Sequence, residues 1–384
     1  MQEERITVEG KRMSSYQIDH ELGILNRGNW HRIKKVMRKA ASGQSITVGF
    51  LGGSITQGCA SSTPQTCYAY LVYEWWKQKF PQAEVKYVNA GIGGTTSQFG
   101  VARVDSDLLS YHIDFTTVEY SVNDDNTEHF METYEGLIRH IYSSEDMPAM
   151  LIVNNVRYDD GQNAQDIHNK IGEAYQIPCV SMKPTIYAKV EDGTMSNRVV
   201  TEDDLHPNDV GHSLVAGVIT HFLDKVYAEL DKDEEKETPM PNPLTVNAYE
   251  HSYRYQNDNS NPLNKGFVAD LTIQNDIREI FRKGWTSNQK GDKLTFTVNA
   301  SCIAVQYRKS VIQPTPIARA IVDGDIDNAV ILDGNFEETW GDSLHIDTVA
   351  EHLTPGEHKV EIEIITTHDE DKVPFYLVSV IGSN

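Results

Sequence analysis

Ser54 sits among glycines in Phe50-Leu51-Gly52-Gly53-Ser54-Ile55-Thr56-Gln57-Gly58, at the end of an apolar run. A hydroxyl becomes an effective nucleophile when a base stands beside it. Far downstream, Asp203-Asp204-Leu205-His206-Pro207-Asn208 offers that base. Its Asp-x-x-His spacing puts Asp203 and His206 about one turn apart, near enough for the carboxylate to hold an imidazole N–H. Two strings between them can meet developing negative charge. Asn89-Ala90-Gly91-Ile92-Gly93-Gly94-Thr95-Thr96-Ser97 does so through backbone N–H groups that its glycines let approach closely. Glu119-Tyr120-Ser121-Val122-Asn123-Asp124 does so through the Asn123 amide.

Taken singly, Ser54 could be a helix N-cap, Gly94 a turn glycine and Asn123 an Asx-turn residue. Taken in order they point to acyl transfer, and competing chemistries fit less well. Cys59-Ala60 follows Gly58 where a phosphate loop needs lysine and then serine or threonine. Thr56 stands where the GxSxG elbow needs its second glycine, and Thr96 where a dinucleotide fingerprint needs its last. His206 and His212 with Asp203 and Asp204 could ligate a metal, but no third segment supplies a ligand cluster, so no metal and no other cofactor is expected.

These strings need strands that end together. Apolar stretches at 45–52, 84–90, 113–121, 149–155 and 177–182 read as strands buried on both faces. Tyr68, Leu71, Val72, Trp75 and Trp76 recur at helical spacing, as do Phe130, Tyr134, Leu137, Ile138 and Ile141. From about Asn208, Val210, Leu214, Val218, Phe222, Val226 and Leu230 mark a last helix. This alternation predicts an α/β/α sandwich on a parallel sheet, whose strand ends are where such folds bind ligands. Residues 231–243, acidic and then proline-rich, read as a solvated linker. They separate a domain at 1–230, with an N-terminal arm at 1–44, from residues 244–384. There, short strands alternate with Asp-Gly and Pro-Gly turns, as in a β-sandwich.

The four strings, in this order, resemble the SGNH or GDSL-type serine hydrolases over roughly residues 45 to 230. The resemblance implies a flavodoxin-like three-layer fold, with Ser54 as nucleophile, His206 as general base and Asp203 orienting it. It implies an oxyanion hole of the Ser54 and Gly94 N–H groups and the Asn123 amide. Gly53 departs from the acid of the GDSL string, and Ser121 from the first glycine of GxND; the second departure bears on the loop around Asn123. A hydrolase followed by a jelly-roll sandwich also resembles two-domain bacterial carbohydrate acetyl esterases, in particular acetyl-mannan esterases whose sandwich is like a carbohydrate-binding module. Arg27-Gly28-Asn29-Trp30 and the basic stretch from Arg32 to Lys39 strengthen that likeness. The activity it implies is removal of O-acetyl groups from oligosaccharides, those of mannose favoured over glucose and xylose. The runners-up are a lipase, thioesterase or arylesterase of the same superfamily and a catalytically idle glycan-binding protein.

A sugar needs an aromatic face, and Trp340, flanked by carboxylates in Phe336-Glu337-Glu338-Thr339-Trp340-Gly341-Asp342, is expected to reach the Ser54 pocket and clamp one. Trp285 is the second choice. A net charge of −22 disfavours nucleic acid and anionic membranes as partners and suits a neutral sugar ester. The start of the chain has no signal-peptide pattern and no apolar run long enough to span a membrane, and four cysteines without CxxC spacing suit a cytoplasmic setting. Cys59 and Cys67 read as free thiols. Oligomeric state is left open.

Overall fold

The computed structural model describes residues 17–232 and 236–384, and before them only the short antiparallel pair Thr7–Val8 and Lys11–Arg12. The chain divides into two compact units, residues 1–100 with 104–246, and residues 247–384 with the short stretch 101–103.

The first unit is built on a six-stranded sheet. Its strands are β1 (Ile24–Asn26), β2 (Ile46–Gly52), β3 (Val85–Gly91), β4 (Phe115–Glu119), β5 (Ala149–Asn154) and β6 (Cys179–Ser181). They lie in the order β1-β6-β5-β4-β2-β3. Every pairing is parallel except that of the short edge strand β1 with β6. All residues of β2, β4 and β5 are buried; β2 and β5 accordingly read as near-continuous apolar runs, while β4 buries Thr116, Thr117 and Glu119 as well. Helices α1 (His31–Ala41), α2 (Ser54–Gln57), α3 (Tyr68–Lys79), α4 (Ser97–Asp107), α5 (Glu128–Ser143), α6 (Gln165–Tyr175), α7 (Ala188–Glu191) and α8 (Asp209–Ala228) complete the unit. Leu214, Val218, Phe222 and Val226 of α8 join Trp76 of α3 and Met37 of α1 in one apolar core. The helix stops at Ala228, so Leu230 packs from the turn beyond it. β2 lies between β3 and β4, the point where the strand order reverses and loops splay apart at the carboxyl edge.

The second unit holds a five-stranded and a six-stranded antiparallel sheet. Its strands are β7 (Ser252–Tyr255), β8 (Leu263–Lys265), β9 (Val268–Ala269), β10 (Trp285–Ser287), β11 (Lys293–Ala300) and β12 (Cys302–Lys309), then β13 (Ile317–Val322), β14 (Val330–Asp333), β15 (Ser343–Ala350), β16 (Gly356–Thr366) and β17 (Phe375–Ser383). One sheet runs β8-β11-β16-β13-β14; the other runs β9-β10-β17-β12-β15, with β7 also on β17. Leu294, Phe296 and Val298 alternate inward from β11, Val360, Ile362 and Ile364 from β16, and Val305 and Leu377 from the other sheet, giving the expected sandwich core.

The stretch expected to be a solvated linker is held down from Lys236 onward. Asn29 Nδ2 donates to the Lys236 carbonyl and Thr238 Oγ1, both at 2.8 Å, and Arg32 pairs with Glu237 at 2.7 Å. Arg139 donates to the Pro241 carbonyl at 3.0 Å. Leu244 and Thr245 donate backbone N–H groups to the Glu135 carboxylate at 2.6 and 2.8 Å. Proline lacks a donor but keeps a carbonyl, so a proline-rich strand can still be fastened by arginine and asparagine. Residues up to Val246 accordingly group with the first unit. Cys59 and Cys67 are free thiols. Among the described residues no helix is long and apolar enough to cross a membrane.

Candidate active site

The turn out of β2 is tight. A Cβ on Gly52 would lie 2.2 Å from Thr56 Oγ1 and 2.4 Å from the Glu119 carbonyl oxygen, so only glycine fits. Ser54 then opens the single turn of α2, which Gly58 closes in a left-handed conformation (φ 99°). Gln57 Oε1 accepts the Gly93 N–H at 2.6 Å, drawing the loop after β3 against that turn.

His206 enters from the loop before α8. Its Nε2 is 2.8 Å from Ser54 Oγ, and its Nδ1 is 2.6 Å from Asp203 Oδ2. The other carboxylate oxygen, Asp203 Oδ1, accepts the backbone N–H groups of His206 at 2.7 Å and Leu205 at 3.0 Å. Partial burial pushes the Asp203 carboxyl up, but the His206 ring and those two N–H groups together outweigh it and hold it at about 2. Ionised near pH 7, Asp203 keeps the ring proton on Nδ1 and leaves Nε2 to accept from the serine. The intervening Asp204 adopts a left-handed conformation (φ 69°), which closes this loop, and is fastened by Asn197 Nδ2 at 2.6 Å and Arg198 Nη2 at 2.8 Å.

Gly94, also left-handed (φ 66°), and Asn123 come from the ends of the two flanking strands. Among the described residues neither the Ser54 N–H nor the Gly94 N–H has an acceptor, and Asn123 Nδ2 has none either. Asn123 Oδ1 is turned inward and buried without a donor. The Asn123 loop is fixed from behind: Asp124 accepts the Ser97 N–H at 2.9 Å and faces His168 Nε2 at 3.2 Å. Ser121 fills its place without a left-handed backbone, and its hydroxyl donates to the Asn155 carbonyl at 2.9 Å. The glycine usual at that position is therefore not needed for this loop.

Ser54, Asp203, His206, Gly94 and Asn123 thus converge at one edge of the first unit's sheet. Trp340 lies in the second unit, 64% exposed, with Phe336 edge-on at 5.1 Å. Trp285 is only 3% exposed and packs on Phe296, which removes it as a sugar platform. Glu119 and Tyr68, to which the sequence assigned no chemistry, and His212, weighed there only as a metal ligand, lie behind the Ser54 turn. Thr56 Oγ1 contacts Tyr68 Oη at 2.7 Å and donates to Glu119 Oε2 at 3.1 Å. A carboxylate inside the otherwise uncharged run of β4 was the one visible sign of that network. Both ring nitrogens of His212 are engaged within the protein, so it cannot join His206 as a ligand. Among the described residues no three His, Cys, Asp or Glu side chains gather as a metal site would require.

Residues 50–214 match the GDSL-like Lipase/Acylhydrolase family. A two-domain esterase (CEX) active on acetylated mannans is similar over nearly its whole length, with 58% identity, a TM-score of 0.94, and 96% of this chain and 99% of that chain covered. The same description applies to a structure co-crystallized with mannopentaose, at 57% identity and a TM-score of 0.93 with the same coverage. No curated protein matches the chain. With its hydrolase motifs and both units matched, the chain belongs to the GDSL-like lipase/acylhydrolase family as a two-domain esterase.

Proposed function

We propose that this esterase removes O-acetyl groups from acetylated oligosaccharides, those of mannose first, through an acyl-enzyme on Ser54. The observation that carries the reading is the line from Ser54 Oγ to His206 Nε2 (2.8 Å) and from His206 Nδ1 to Asp203 Oδ2 (2.6 Å). Its similarity to esterases active on acetylated mannans supports the substrate class.

The chemistry follows from the groups present. Ser54 Oγ attacks the acetyl carbonyl while His206 Nε2 takes its proton, and Asp203 stabilises the imidazolium. The oxyanion is met by the N–H groups of Ser54 and Gly94 and by Asn123 Nδ2, donors that are worth about 3 kcal/mol each where one has been removed from such a hole. Collapse expels the sugar hydroxyl, protonated by His206. Water, deprotonated by the same nitrogen, then attacks the acetyl-serine and releases acetate. In the second unit Trp340 offers an exposed apolar face of the kind that stacks on a pyranose, and we assign it to sugar contact.

The test has two parts. Activity should fall steeply from para-nitrophenyl acetate to the octanoate, whereas a lipase would gain. Mass spectrometry should show loss of acetyl groups from acetylated manno-oligosaccharides with the parent chain and none with Ser54→Ala. Undiminished hydrolysis by that variant would remove Ser54 as nucleophile, and an inactive parent would favour a glycan-binding protein.

A further inference from the structure

Ser54 rides on one helical turn, and so short a helix does not hold itself, because nucleation costs more than one turn of hydrogen bonds returns. The turn must be fixed from outside. The Ser54 carbonyl accepts the N–H groups of Gly58 at 3.1 Å and Cys59 at 3.0 Å, which ties the following loop to the nucleophile's own peptide. The Cys59 carbonyl, in turn, lies 3.2 Å from His212 Nε2.

The tautomer of His212 can be deduced. The Tyr68 backbone N–H, first in α3 and without an acceptor inside that helix, donates to Nδ1 at 3.3 Å. A ring nitrogen that accepts carries no proton, so the proton sits on Nε2 and is donated to the Cys59 carbonyl. Burial pushes the pKa of this imidazole down to about 4, which keeps it neutral and in this form near pH 7. Its ring is nearly parallel to that of Tyr68, at 21° and 6.2 Å.

His212 does not act alone at this end of α8. Asp209, one turn earlier, accepts the Ser62 N–H at 2.8 Å, Ser62 Oγ at 2.6 Å and Thr66 Oγ1 at 2.6 Å. The first turn of α8 therefore grips the loop after the Ser54 turn at two places. That same helix start is entered directly from His206, through Pro207 and the Asn208 cap.

We propose that His212 is a positioning residue which, through the Cys59 carbonyl, fixes the turn bearing Ser54 against the helix whose entrance bears His206. It maintains the separation of nucleophile and base across 152 residues of sequence. The inference rests on the reading of Ser54 as nucleophile and His206 as base.

Two variants divide the imidazole between them. His212→Asn places an amide oxygen where Nδ1 stands and keeps the acceptor for Tyr68, but supplies no donor to Cys59. His212→Gln reaches the Nε2 position and keeps that donor. With para-nitrophenyl acetate, His212→Asn should lower kcat at least about tenfold with KM changed less than about twofold, as expected for misplacement without lost binding. His212→Gln should recover kcat to within about threefold of the parent under the same conditions. Equal kcat in the two variants would overturn the proposal. So would a kcat loss confined to preparations without a cooperative thermal transition, since it would reveal a stability role. Ser54→Ala, run alongside, separates the two failures: an active Ser54→Ala removes the underlying reading, whereas an inactive one with unimpaired His212→Asn removes only this inference.

Discussion

A Cβ on Gly53 would lie 2.3 Å from Asn123 Oδ1, closer than any side chain can approach. The residue before the nucleophile and the amide beyond the adjoining strand are thus mutually dependent. That contact gives a physical reason for glycine where the family string has an acid. An amide whose oxygen is pressed against Gly53 must turn its nitrogen the other way.

Gly53→Ala is expected to displace Asn123. Loss of one oxyanion donor costs about 10²–10³ in kcat where it has been measured, and a displaced donor should approach the lower figure. Steady-state kinetics on para-nitrophenyl acetate should show kcat falling with KM little changed. Adding Asn123→Ala to Gly53→Ala should then cost far less than Asn123→Ala costs alone.

Asp203→Asn should lower kcat by orders of magnitude, roughly 10⁴ in the best-studied triad, because the amide can no longer dictate the ring's tautomer. The carboxylate's depressed pKa also has a signature in stability. A group held at about 2 against an ordinary value of 3.8 contributes stability that is present above 3.8 and lost as pH falls through 2. The parent's lead in Tm over Asp203→Asn should therefore shrink in that window, as thermal melts at graded pH would record.

Glu119 behaves in the opposite sense. Complete burial lifts its carboxyl from 4.5 to about 7, against the pull of hydrogen bonds such as that from Thr56 and with a further push from Asp124. The folded protein prefers the protonated acid, so the contribution is full below 4.5 and is lost as pH rises through 7. Glu119→Gln cannot ionise. Its unfolding free energy relative to the parent, from denaturant melts at graded pH, should climb between those values and level off above them, by an amount on the order of 3 kcal/mol.

Trp340→Ala should leave Tm nearly unchanged, since the side chain is exposed and outside the sandwich core. Activity on acetylated manno-oligosaccharides should fall, through KM, by about tenfold or less, while para-nitrophenyl acetate turnover stays as in the parent. Equal activity of both chains on the oligosaccharide would free Trp340 of any sugar contact.

How much of this could be read from the chain differs by residue, for physical reasons. Strands buried on both faces advertise themselves as near-continuous apolar runs, so β2 and β5 were legible. Trp285 and Trp340 looked alike, each beside a glycine, because nothing local says which faces a core. His212 was illegible for another reason: its partners, Tyr68 and Cys59, lie 144 and 153 residues away, and no spacing rule spans that distance. Residues 236–243 read as a solvated linker because acidic and proline-rich composition reports what a segment can bury, not whether a neighbouring surface will hold its carbonyls.

Glu135 has a practical bearing on where this molecule can be divided. Its carboxylate is fully shielded from solvent and takes donors from Leu244, Thr245 and Tyr175. Trimming the polypeptide at the end of α8 would leave that anion with only the tyrosine, or open it to water, at the expense of the hydrolase. A cut that spares Glu135 therefore falls beyond Thr245, so that both backbone donors stay with the carboxylate they serve.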